Sequence, residues 1–233
     1  MSKIVYWSYL GQQPMRATAP QDVRKNFYSR NLHDNTPSLS FNKCPFSHDH
    51  LENLYSLHSL YDYSFRIEGK IARSYDYDQD FFNYHVSVRS VEKKIFSFFQ
   101  PYIFFTESDS LEVSFPVFPH LENNNITKRC MPFEGTIDIG RYFRNVDFAF
   151  MLKDPYEEFI IERDEIFGYV KFHTKEKIRL KQFYPTETIK KYSDDVNDLL
   201  NNKKDKFYRP EYYYNSFKLK KLILKEIKSN LVD

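Results

Sequence analysis

Leu111-Glu-Val-Ser-Phe115, Gly135-Thr-Ile-Asp-Ile139, Val146-Asp-Phe-Ala-Phe-Met-Leu152, Phe159-Ile-Ile161, Ile166-Phe-Gly-Tyr-Val-Lys-Phe172 and Ile178-Arg-Leu-Lys-Gln-Phe183 are the runs whose reading decides the fold. Several alternate apolar and polar residues, the mark of a strand with one face on a core and the other in water. Turn chemistry parts them, most plainly at Asp154-Pro155. Phe148, Phe150, Leu152, Val170 and Phe172 are the expected core of these strands.

Upstream the pattern continues. Ile4 to Leu10 forms a first strand, closed by Gly11, and Leu54-Tyr-Ser-Leu57 and Tyr63-Ser-Phe-Arg-Ile67 follow. Glu68-Gly69 marks a hairpin toward Ile71, and Phe81-Phe82 suits a short turn of helix. His85 to Arg89, Ile95 to Phe99 and Tyr102 to Phe105 are three further strands, with Pro101 separating the last two. Gln12 to Pro45 holds Pro14, Pro20, Pro37 and Pro45 without a sustained period, an extended arm with a short helix near Gln21–Tyr28. Asn123-Asn-Asn125 is a loop tip by composition. Short strands about 8–12 residues apart predict a sandwich or barrel, and the lack of strand–helix–strand alternation argues against a parallel α/β sheet.

After Phe183 the period becomes helical. Ile189, Tyr192, Val196, Leu199 and Leu200 form one stripe behind Pro185 and Thr186; Phe217, Leu219, Leu222, Ile223, Ile227 and Leu231 form a second. The predicted fold is mainly β, an antiparallel β-sandwich of jelly-roll or cupin-like type with a C-terminal pair of helices. Residues 1–45 are read as strand and arm packed on the core, 46–184 as the sandwich and 185–233 as a helical appendage.

A chain of 233 residues has room for one large domain with an appendage. Its 23 Phe and 19 Tyr suit a β core, though an AT-rich coding bias would produce the same excess. A net charge of +2 does not by itself imply a polyanionic partner. The charge is uneven, however: Lys203 to Lys228 carries nine Lys/Arg against three Asp/Glu, so the remainder is net acidic. Two cysteines make no disulfide framework and imply a reducing compartment. With no apolar run of about 18 residues and no signal-peptide pattern, the expectation is a soluble, cytoplasmic protein with no membrane partner.

Cys44-Pro45, Leu54-Tyr-Ser-Leu57 with Tyr61-Asp62, and Pro132-Phe-Glu-Gly-Thr-Ile-Asp-Ile-Gly-Arg-Tyr-Phe-Arg144 followed by Phe148-Ala-Phe150, Glu165-Ile166 and Lys171-Phe-His-Thr174 resemble a pattern in uncharacterised proteins of tailed phages and some bacteria. The resemblance covers about Pro37 to Phe183. It implies a jelly-roll or cupin-like fold, and a host-cytoplasm location for a phage-encoded member. It carries no activity and so assigns no catalytic residue.

Three clusters could carry chemistry. His120-Leu-Glu122 with His173 has the residue types of a facial metal triad, since residues i and i+2 share a strand face. Arg179 beyond the distal histidine would then bind a 2-oxoacid carboxylate, and the cofactor would be Fe(II). The bland alternative is exposed loop side chains. Cys44, His48, Asp49, His50, Glu52 and His58 are dense in ligand types but lack paired zinc spacing, which favours a polar loop. Lys218, Lys220, Lys221 and Lys225, with Phe207, Tyr208 and Tyr212 to Tyr214 nearby, could neutralise phosphates and stack bases; a helix with solvated lysines is the simpler reading. Five glycines form no phosphate loop, and no Gly-x-Ser-x-Gly occurs. The leading expectation is a non-catalytic accessory or binding protein whose partner is another protein or itself. A metalloenzyme of the oxygenase type and a nucleic-acid-binding protein are the contrasting classes.

Overall fold

A computed structural model describes residues 2–11, 18–25, 49–116, 125–201 and 217–232. The strands are β1 (Ser2–Tyr9), β2 (Gln21–Asp22), β3 (Leu54–His58), β4 (Tyr63–Glu68), β5 (Ile71–Ser74), β6 (Val86–Ser90), β7 (Ile95–Thr106), β8 (Glu112–Ser114), β9 (Cys130–Pro132), β10 (Thr136–Asp138), β11 (Asn145–Leu152), β12 (Glu158–Ile161), β13 (Ile166–Phe172) and β14 (Lys177–Gln182). Helices α1 (Gln79–His85), α2 (Asn125–Arg129), α3 (Glu187–Asn201) and α4 (Phe217–Ser229) accompany them, and residues 23–25 and 49–51 are also helical.

The strands form three sheets. Sheet A runs β14-β1-β7-β11-β9, with β6 also on β7; sheet B runs β10-β8-β13-β3-β2; sheet C runs β12-β4-β5. Pairing is antiparallel except between β1 and β14, which run parallel from Ser2↔Lys177 to Trp7↔Gln182. One face of sheet A packs on sheets B and C together, which makes the fold a mainly β sandwich. Phenylalanine rings join the layers. Phe65 and Phe159 meet Phe96 at 5.1 and 5.0 Å, Phe167 meets Phe148 at 5.1 Å, and Phe172 meets Phe104 at 5.8 Å. Edge-to-face pairs of this kind add about 0.5–1.5 kcal/mol each to the area they bury.

Local chemistry accounts for most elements. β11 alternates half-buried and buried residues through Val146, Phe148, Phe150 and Leu152, as its sequence predicts. All five residues singled out as core, from Phe148 to Phe172, are buried. Gly69 turns the β4–β5 hairpin at φ +60°, a conformation that costs glycine nothing. Asp154-Pro155, a cis peptide, turns β11 into β12. Gly168 lies where a Cβ would stand 2.5 Å from the Phe148 ring, so sheets A and B approach closely there.

Three expectations change. β7 is one strand of 12 residues that runs straight through Pro101, where a break was expected. The β7–β11 register slips between Asn145↔Ile103 and Asp147↔Phe99, so the missing N–H falls in a bulge, while the Pro101 carbonyl accepts the Leu10 N–H at 2.7 Å. His85 ends α1 and does not begin a strand. Between the Asn tract and Gly135 stand α2 and β9, neither of which the pattern announces.

The other face of sheet A carries a second core. Tyr6, Ile103, Phe105, Phe143 and Phe183 pack there with Ile189 of α3 and with Ile223 and Ile227 of α4. Thr186 starts α3 as expected, accepting the Ile189 N–H and donating to Glu226 of α4 at 2.8 Å. Leu222, expected in the docking stripe, is 52% exposed; Leu224 packs in its place. No described helix is long and apolar enough to cross a membrane.

Candidate functional site

An aromatic pocket of about 370 Å³ opens where the end of β1 meets α1 and α3. Four pieces of chain build it. Tyr9, Leu10 and Gly11 form one wall. Tyr61 comes from the β3–β4 loop, which Ser59 ties down by donating its hydroxyl to the Tyr61 carbonyl at 2.7 Å. α1 contributes Asp80, Phe81 and His85, and α3 contributes Lys190. The Asp78 carboxylate caps α1 by accepting the Asp80 and Phe81 N–H groups, which fixes those side chains one helical turn from His85.

The rings interlock. Tyr61 lies 6.0 Å from Phe81 and 6.4 Å from His85; Phe81 lies 4.6 Å from His85; Tyr63 and Tyr77 back them at 5.9 and 5.3 Å respectively from His85 and Phe81. His85 is buried, and burial holds its pKa below the ordinary histidine value against the pull of its bond to the Phe81 carbonyl. That carbonyl, 3.0 Å from Nδ1, can only accept, so the neutral ring keeps its proton on Nδ1 and Nε2 carries the lone pair.

Tyr9 is the unusual member. It is 1% exposed, and its hydroxyl finds no hydrogen-bond partner among the described residues. Its neighbour Tyr102, edge-on at 5.2 Å, donates to the Thr18 carbonyl. Burial first, then the nearby tyrosines, raises the Tyr9 pKa, so the hydroxyl stays protonated. A buried hydroxyl without a partner costs on the order of 1–3 kcal/mol. Gly11 lets the chain double back over this ring: a Cβ there would stand 2.4 Å from Tyr9 Cε1.

The residues singled out in the sequence lie elsewhere. His120 and Glu122 fall outside the described residues. His173 is exposed at the end of β13, its Nε2 2.8 Å from the Ser114 hydroxyl, and Arg179 is exposed on β14. Among the described residues no group of three His, Cys, Asp or Glu is placed to hold a metal ion. Cys44 and His48 also fall outside. Asp49 and His50 turn their carbonyls to the Lys171 ammonium at 2.7 and 2.8 Å, and His58 bridges the Asp164 carbonyl and Ser56.

Of the helix lysines, Lys220 donates inward to the Ser108 and Gly140 carbonyls at 2.6 and 3.0 Å, while Lys221 and Lys225 are exposed; the side chain of Lys218 and residues Phe207 to Tyr214 are outside the described set. Burial pushes the Cys130 thiol up to about 12, so it packs as an apolar residue and not as a nucleophile.

The sequence reading passed over Tyr9, Tyr61, Phe81, His85 and Lys190. One signal was available. Asp78 followed by Phe81 and His85 at helical spacing places two rings on one capped face. Compared with known proteins, the chain matches no family model, no curated protein and no solved structure.

Proposed function

We propose that this is a non-catalytic binding protein whose aromatic pocket takes a flat nitrogen heterocycle of nucleobase size. The observation that carries the reading is the Tyr9 hydroxyl, buried in the pocket wall without a described partner. That hydroxyl is closed to solvent, so a ligand would reach it through a small shift of the Tyr9 ring, and the bond formed would offset the cost of burying it unpaired. The flanking Phe81 and Tyr61 rings suit stacking on a planar group. A binding role keeps the non-catalytic class expected from the sequence, with a small molecule in place of the protein partner expected there.

The single tryptophan reports on the site, because Trp7 stacks on Tyr102, which contacts Tyr9. Titration with free nucleobases, nucleosides and nicotinamide should quench Trp7 emission saturably for at least one member. Tyr9→Phe keeps the ring and removes the hydroxyl, and should weaken that binding by about 2–10-fold. Affinity should hold between pH 8 and the ordinary histidine value of about 6.5, then fall as protonation of the buried His85 puts a charge beside the apolar pocket. No saturable change with any member at millimolar concentration, by emission or by melting temperature, sinks the proposal.

A further inference from the structure

A second, chemically different site lies near the other end of β1. There a groove of about 660 Å³ runs between β14, the edge strand of sheet A, and the β2–β3 side of sheet B. Its rim carries Arg24, Lys25, Lys175 and Lys177 against two carboxylates, Asp22 and Glu52. Asp22 is already engaged, accepting the Arg24 and Lys25 backbone N–H groups at 3.0 and 3.3 Å. Lys25, Lys175 and Lys177 make no ion pair among the described residues. The floor is apolar: Tyr55 and Ile178 are buried, and Leu180 is half-buried.

Asn53 holds this rim in place. It adopts φ +53°, a left-handed conformation uncommon outside glycine, and spends its side chain on the turn that carries the lysines. Its Nδ2 donates to the Thr174 and Glu176 carbonyls at 2.8 and 3.0 Å, and its Oδ1 accepts the Ile178 N–H at 3.3 Å. Thr174 Oγ1 accepts the Glu176 N–H at 3.1 Å, which tightens the same turn. Lys175 and Lys177 therefore project from a backbone pinned on both sides, and little loop ordering remains to be lost on binding.

We propose that this groove binds a phosphorylated small molecule, its phosphates on Lys25, Lys175 and Lys177 and its organic part on Tyr55, Ile178 and Leu180. The charge excess selects an anion, and the apolar floor selects an organic phosphate over a bare one. A groove of this volume is in the range of small-molecule sites. It is a separate site from the aromatic pocket and does not depend on it.

The test is calorimetry on the full chain in 50 mM salt with three probes: inorganic phosphate, tripolyphosphate and ATP. ATP should bind more tightly than tripolyphosphate, and phosphate least. Lys175→Ala and Lys177→Ala should each weaken ATP by about 3–10-fold, as expected for loss of one charged contact. Lys221→Ala with Lys225→Ala removes equal charge from α4 and should change nothing. To separate this groove from the pocket, ATP is titrated again into Tyr9→Phe, which should bind it as the wild type does. Equal weakening by the α4 pair, or tighter binding of a 12-nucleotide single strand that those lysines control, would overturn the proposal in favour of diffuse attraction or nucleic acid. ATP binding lost in Tyr9→Phe but kept in Lys175→Ala would overturn it too.

Discussion

The two faces of sheet A are built on different terms. The inner face is a continuous field of rings, with Phe96, Phe98, Phe104, Phe148 and Phe150 meeting sheets B and C. The outer face is divided. Over β1 and the second half of β7 it is apolar, and α3 and α4 cover it. Over β6, the first half of β7 and β11 it is polar: Arg89 bonds Ser97 and Asp147, and Arg144 stands 3.7 Å from the same carboxylate. Burial raises the Asp147 pKa in spite of both arginines. The inner face therefore depends on packing alone, whereas the outer face depends on a helix pair at one end and on charge at the other. Damage to the first should be severe and uniform, and damage to the second local.

The hardest blow to that comparison is Phe150→Ala. Phe150 is fully buried between the Phe96 and Phe159 rings, and its truncation should cost about 3–5 kcal/mol in equilibrium denaturation. A variant that melts with the wild type would break the claim that the inner face is the principal core.

On the outer face, Ile227→Ala and Leu222→Ala sharpen the docking of α4. Ile227 is fully buried and its truncation should cost about 2–4 kcal/mol; Leu222 is half exposed and should stay within about 0.5 kcal/mol of wild type. Equal losses would mean that the helix is rotated from the orientation described.

The smallest expected effect concerns Glu107, which ties the sheet to α4. Its carboxyl is held below the usual carboxylate range, first by the hydrogen bond that Tyr6 donates and then by the Lys228 ammonium at 3.0 Å. A depressed folded-state pKa adds stability above the unfolded value of about 4.3, lost as pH falls through the folded value. Glu107 is half exposed, so Tyr6→Phe should cost less than about 1 kcal/mol at pH 7, and the gap should close between pH 5 and pH 3. A gap that is independent of pH would remove the carboxylate from the account.

How far the molecule was legible follows from particular residues. Val146 to Leu152 announces its buried face because the period of a strand is local and needs no knowledge of its partner. Pro101 misled because proline vetoes a ladder only where its N–H is needed, and a bulge set by the distant partner residues Asn145 and Asp147 removed that need. Leu222 and Leu224 are equally apolar, and only the outline of Tyr6, Phe105 and Phe143 decides which one docks. The candidate pocket was the least legible. Tyr9, Tyr61, Phe81 and His85 come from three separate segments, and an excess of aromatics hides those that line a cavity among those that fill a core.

The sequence by itself determined the class of the fold, the residues of its inner core, the cap and start of α3 and the hairpin at Gly69, since each rests on spacing or conformation within a few residues. The tertiary structure alone decided the parallel match of β1 with β14, the cover of α4 on the outer face, and the meeting of Tyr9 with α1. Those depend on pairings across long stretches of chain, from Ser2 to Lys177 for the first strand. Closing so long a loop costs only slowly more entropy with length, so nothing local records the choice among partners. What selects the partner is the fit of the surfaces brought together, and that exists only in the folded chain.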